Sequence, residues 1–188
     1  MGLMIELLWW NLQAVLLPTA AAGILHMAVV RFKVAEGLAL PLWEAGLGPH
    51  KTWRGVLVMV ALSSVAATVG AAWGSATLPV APSLWGGGLG LVYVAAELPN
   101  SWVKRRLGIA AGAQSARFPQ LSALADKLDS AALGSLVLAL WIPQNPHAFG
   151  LSPQLSGPAI FAASLLVNSG IHALLSGVLV AVGMKRRF

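Results

Sequence analysis

The chain has 188 residues, of which 57% are hydrophobic and 10% charged, with a mean hydropathy of +0.77, a balance that excludes a domain whose main solvent is water. Twelve Lys and Arg against six Asp and Glu give a net charge of +6, but the cations sit between long apolar runs, which points to an anionic membrane surface or a phosphate-bearing substrate and not to nucleic acid. With no cysteine, disulfides, thiolate chemistry and Cys-based zinc sites are excluded.

A helix needs roughly 20 apolar residues to cross a hydrocarbon core about 30 Å thick. Five stretches meet or approach this, at about 7–30, 55–73, 78–96, 121–142 and 159–183. They predict one all-α integral membrane domain over residues 1–188, with five transmembrane helices and cytoplasmic loops at 31–54 and 97–120. The first run follows a segment, Met1 to Glu6, without Lys or Arg; it is too long for a signal-peptide core and reads as a retained span. Trp9 and Trp10 near its start read as interfacial anchors, as do Trp53, Trp73, Trp85, Trp102 and Trp141.

The first loop ends Gly48-Pro49-His50-Lys51-Thr52-Trp53-Arg54-Gly55 and runs straight into the second span. Lys51, Thr52 and Arg54 beside the free N–H groups of a helix start are groups that bind phosphate oxygens, although Walker spacing is absent. The second and third spans are joined by a short connection around Gly74 and Pro79, so they are antiparallel neighbours, and the glycines from Trp85 to Gly90 predict a closely packed helix. The third loop opens with Glu97, Asn100, Ser101 and the consecutive cations Lys104, Arg105 and Arg106, followed by Gly108 and Gly112. These offer fixed positive charge, hydrogen-bonding groups and backbone that a ligand can approach.

Asp126 and Asp129 are the chain's two aspartates. Their spacing stacks both carboxylates on one helix face, roughly 5–6 Å apart at Cβ, where a divalent cation can sit between them. The thirteen residues from Ser130 to Ile142 give about 20 Å of helix, less than the core thickness, so Asp129 is recessed below the inner surface. Acids at that depth need compensating cations or a metal. Residues 143–158, rich in Pro and Gly, read as an external loop. His26, His172, Asn168 and Ser169 read as internal hydrogen-bonding residues of the bundle.

All twelve cations fall in the first loop, in or beside the third loop up to Lys127, or in the tail Lys185 to Arg187. That asymmetry fits an odd number of spans, with the N-terminus outside and the C-terminus cytoplasmic. Two cationic clusters and one acidic cluster then border the same bundle, a set suited to a nucleoside triphosphate.

Three stretches resemble the CDP-archaeol synthase family, a branch of the membrane CTP:lipid-phosphate cytidylyltransferases related to phosphatidate cytidylyltransferase. They are residues 48–55, residues 97–109 with Gly112, and Asp126-Lys127-Leu128-Asp129-Ser130. The resemblance implies a multi-pass enzyme of the cell inner membrane with its active site facing the cytoplasm, joining CTP to a diradylglycerol phosphate. Phosphatidate and an ether analogue both remain open as that lipid, and so does pairing into a homodimer. The implied cofactor is Mg2+, held by Asp126 and Asp129 with Glu97 as a third acid. Lys104, Arg105 and Arg106 are implied to face phosphate, Asn100 and Ser101 to shape the pocket, and Lys51, Thr52 and Arg54 to close it. A CDP-alcohol phosphotransferase would need an Asp-Gly pair, and neither aspartate precedes glycine. A transporter or lipid-binding protein is the competing class.

Overall fold

The computed structural model describes residues 2–181 and 183, without the side chains of Lys127, His172 and Leu179. Five long helices carry the chain: α1 (Gly2–Arg31), α2 (Trp53–Trp73), α3 (Pro82–Arg106), α4 (Pro119–Trp141) and α5 (Gly157–Ala181). Three of them, α1, α2 and α5 over Gly157–Val178, are long and apolar enough to cross a membrane, and Leu128–Gln144 forms a shorter apolar helix. The glycines and Glu97 dilute α3, and the acids of its first turns dilute α4. Among the described residues there is no strand, and β-type pairing is limited to an isolated bridge between Pro41 and Thr52.

Burial follows the logic of a bundle surrounded by hydrocarbon. Leu84, Leu140, Leu166 and Leu174 are each at least 60% exposed, whereas Ser63, Ser135 and Ser164 are at most 1% exposed. Outside one buried cluster that holds Leu7, Leu138 and Ile160, many large apolar side chains face outward and small residues face inward, because close helix contact and not water exclusion drives association in a bilayer.

α1 is not a uniform helix: Leu12–Leu16 is wound as a π-helix. The cause lies at Pro18, which has no N–H for the carbonyl of Ala14 four residues earlier and whose ring crowds that carbonyl. The Trp85 indole of α3 supplies the missing donor, with Nε1 donating to Ala14 O at 2.7 Å. Trp10 likewise donates to Thr77 O at 2.8 Å. Trp10, Trp85, Trp141 and the fully buried Phe149 form one ring cluster with centroids 5.5–5.9 Å apart.

That cluster corrects the expectation that Trp10 and Trp85 are interfacial anchors. They are 4% and 5% exposed and close one end of the bundle, whereas Trp73, at 89%, does lie on the surface. Trp85→Phe keeps a ring but orphans the Ala14 carbonyl, so a loss of about 1–3 kcal/mol is expected. Reversible unfolding in mixed micelles measures it, with Trp73→Phe as the control expected to change little.

α2 and α3 pack backbone to backbone, as the glycine run predicts. A Cβ built on Gly86 falls 2.1 Å from Ser63 O, and one on Gly90 falls 2.7 Å from Met59 O. α3 also corrects the expected loop at 97–120, because it continues as helix through Pro99 to Arg106. Lys and Arg are good helix formers, and Lys104, Arg105 and Arg106 occupy the last turn, where the helix dipole favours positive charge. The helix starts at Pro82, Pro119 and Gly157 shift the expected span edges by a few residues, all three with proline in the first turn.

The first connection is ordered by its own backbone. Leu42 N donates to Lys51 O at 2.8 Å and Trp53 N to Leu40 O at 3.0 Å, and the single turn Glu44–Leu47 packs on α3. Residues 48–52 are thereby held against the polar end of α3. The tail residues Lys185, Arg186 and Arg187 lie outside the described residues.

Candidate functional site

The site forms where the start of α2, the end of α3 and the start of α4 meet. Thr52 caps α2, its Oγ1 accepting from Gly55 N at 3.2 Å, and this fixes Lys51 just ahead of the first turn. On α3 the spacing of Tyr93, Glu97, Asn100 and Lys104 places all four on one face. On α4, Asp126 and Asp129 share the face turned toward them.

The contacts are specific. Asn100 Nδ2 donates to Asp126 Oδ1 at 2.8 Å and to Asp129 Oδ2 at 3.1 Å, so both carboxylates meet at one nitrogen. Lys104 Nζ binds both oxygens of Asp126, at 2.5 and 2.6 Å. Asp129 Oδ1 also accepts from Ser130 N at 2.7 Å. Glu97 Oε2 is bound by Lys51 Nζ, which ties the first connection to α3.

Beside this cluster a cavity of about 400 Å³ runs into the bundle, and its volume is that of an ordinary small-molecule site. His26, His50, Lys51, Thr52, Glu97 and Asp126 form its polar end, and most of the remaining wall is apolar, from α1, α2 and α3. The compartment therefore offers charge at one end and hydrocarbon at the other.

The structure thus brings together Lys51, Thr52, Glu97, Asn100, Lys104, Asp126 and Asp129. It does not bring in the rest of the residues singled out by sequence. Ser101 donates its hydroxyl to Glu97 O at 2.9 Å, within its own helix. Arg106 lies over the Trp102 ring, its Cζ 5.0 Å from the centroid, and is exposed. Arg54 donates to Val34 O at 3.4 Å, and Arg105 packs against Gly48; each has a buried Nε without a hydrogen-bond partner. These two guanidiniums flank the site with no carboxylate pairing them among the described residues.

The Glu97 carboxylate is engaged by Lys51, and among the described residues no group of three His, Cys, Asp or Glu side chains converges. In donor type the aspartate pair fits magnesium: it offers hard carboxylate oxygens that here meet at the Asn100 amide nitrogen, and magnesium ordinarily takes one or two carboxylates, with water and phosphate oxygens completing its shell.

Sequence reasoning passed over Tyr93, gave His50 no role within the first-loop motif, and read His26 and Asn168 as bundle packing; all four line the cavity. Tyr93 was accessible in principle, since it precedes Glu97 by four residues and extends the same helix face. Asn168 and His50 gave no such signal, because their place depends on how α5 and the first connection pack. Comparison with protein-family models, curated proteins and solved structures gives no match for the chain.

Proposed function

We propose that the protein is a magnesium-dependent CTP:lipid-phosphate cytidylyltransferase of the cell inner membrane. The reading includes five spans, with the N-terminus outside and the cluster of Lys51, Lys104, Asp126 and Asp129 at the cytoplasmic face, as the positive-inside distribution requires. The observation that carries it is the junction of a carboxylate–lysine cluster with a largely apolar cavity. An amphipathic phosphate and a polyanionic nucleotide need those two environments side by side. The three sequence stretches that resemble the cytidylyltransferases supply the reaction.

In that reaction a lipid phosphate oxygen forms a bond to the α-phosphorus of CTP, and the bond to the β-phosphate oxygen breaks, releasing pyrophosphate with the electron pair. A phosphomonoester has a second pKa near ~6 and is already mostly ionised at neutral pH, so the nucleophile needs no strong base. The barrier is electrostatic. Lys51 and Lys104 each rest on a carboxylate in the structure and have donors to turn toward phosphate oxygens. Arg54 and Arg105 add positive charge at the rim, and Asn100 keeps the aspartates in register. Asp126 and Asp129 would hold magnesium, which when bound neutralises triphosphate and leaving-group charge.

Purified protein supplied with magnesium, CTP and a diradylglycerol phosphate is expected to release pyrophosphate and form a CDP-lipid, detected by mass spectrometry. Absence of turnover with both diacyl and dialkyl phosphates, in protein shown to be folded, would remove this reading. Metal-independent lipid binding without CTP binding would favour a carrier or transporter.

A further inference from the structure

The cavity gathers its charged side chains, Lys51, Glu97 and Asp126, at one end, and from there it runs back between the helices to Val15, Leu16 and Leu89. The eleven residues from His26 back to Val15 make about 16 Å of helix. Along that wall of α1 the one polar side chain, Thr19, spends its hydroxyl on Val15 O and Leu16 O, at 2.7 and 3.2 Å. An apolar space of this size is costly in a bundle unless something fills it, because its walls forfeit dispersion contacts and give water little to bond. Two glycines make the room. Gly134 stands on the face of α4 that carries Asp126 and Ser130, at steps of four residues, and Gly23 stands between Ala20 and Met27 on α1; all of these line the cavity. A Cβ built on either glycine meets no atom within 4 Å. Neither has a positive φ and neither is pressed by a neighbour, so the backbone gives no reason for glycine at a place where it weakens a helix.

We infer that the cavity houses a hydrocarbon chain of the lipid phosphate, drawn from the bilayer into the bundle, and that Gly134 sets the chain length the protein accepts. That the head group is a lipid phosphate rests on the cytidylyltransferase reading; Lys51 at the charged end requires only an anion. An extended chain advances ~1.2 Å per bond, so the apolar wall has length for about a dozen carbons. Gly134 lies eight residues, about 12 Å of helix, from Asp126, beyond the reach of a six-carbon chain held at the charged end. Gly23 lies three residues from His26, about 4–5 Å of helix, where even a short chain must pass.

The test is binding, measured apart from turnover. Phosphatidates with hexanoyl and with palmitoyl chains are titrated in mixed micelles against wild type, Gly134→Leu and Gly23→Leu, and bound lipid is counted by native mass spectrometry. Gly134→Leu is expected to weaken the palmitoyl lipid about tenfold or more, the effect of forcing methylenes into an occupied space, and to leave the hexanoyl lipid unchanged. Gly23→Leu should weaken both. Neither variant should melt below wild type, because the added Cβ meets no neighbour and leucine is the better helix former. Undiminished palmitoyl binding in either variant, equal loss of both lipids in Gly134→Leu, a lowered melting temperature, or binding of neither lipid by wild type overturns the inference. Chain-length-dependent binding without pyrophosphate release removes the cytidylyltransferase reading and leaves the chain site standing. Pyrophosphate release with no change of chain preference in Gly134→Leu does the reverse.

Discussion

Asp126→Asn is expected to lower CTP- and lipid-dependent pyrophosphate release by about 10²–10³-fold, the usual effect of deleting one fixed electrostatic partner from a reacting centre. The substitution keeps shape and removes charge. Asp126 is the carboxylate on which Asn100 and Lys104 both converge, so it positions the lysine as well as offering an oxygen to magnesium. Its side chain is 40% exposed, and solvent screens the ion pair, so folding should hardly change. Steady-state assays with magnesium titrated separate the two roles: a higher magnesium requirement marks lost coordination, and a fall in kcat at saturating metal marks the misplaced lysine. Lys104→Gln should share only the second effect. A variant as active as wild type at every magnesium concentration would take Asp126 out of the chemistry.

Gly86→Ala should produce the largest loss of stability, about 3 kcal/mol or more, at or beyond the upper end for overpacking, because the added methyl meets backbone and not a movable side chain. The nearest atoms are Ser63 O at 2.1 Å and Ala67 Cβ at 2.6 Å. α2 and α3 must then separate, and with them Lys51 and Glu97, so activity should fall alongside stability. Gly88→Ala is the matched control. Nothing lies within 4 Å of a Cβ there, and exchanging glycine for alanine in a helix stabilises by up to about 1 kcal/mol. Denaturant titration in micelles compares the two, and equal behaviour would show that α2 and α3 do not approach as described.

The aspartate pair was legible because a spacing of three residues shares a face on any helix, and Lys51 and Lys104 because each stands in a cationic cluster beside an apolar run. The close contact at Gly86 and Gly90 was legible from spacing in the same way. The extension of α3 past Pro99 was not, since proline and a run of charge ordinarily mark an end, and neighbouring elements held this helix together. The aromatic cluster was hidden differently: an indole suits an interface and a buried corner equally, and only the carbonyl orphaned by Pro18 decides for Trp85.

The sequence by itself determined that the chain is helical and apolar, with long runs suited to a bilayer, and which polar residues share a helix face. These follow from composition and from a period that one helix imposes on its own side chains. Only the tertiary structure decided that Lys51 pairs with Glu97, that Trp85 reaches the Ala14 carbonyl and that Asn168 lines a cavity with residues of the first connection. Such contacts join residues tens of positions apart, and packing between helices, which no local spacing encodes, sets them.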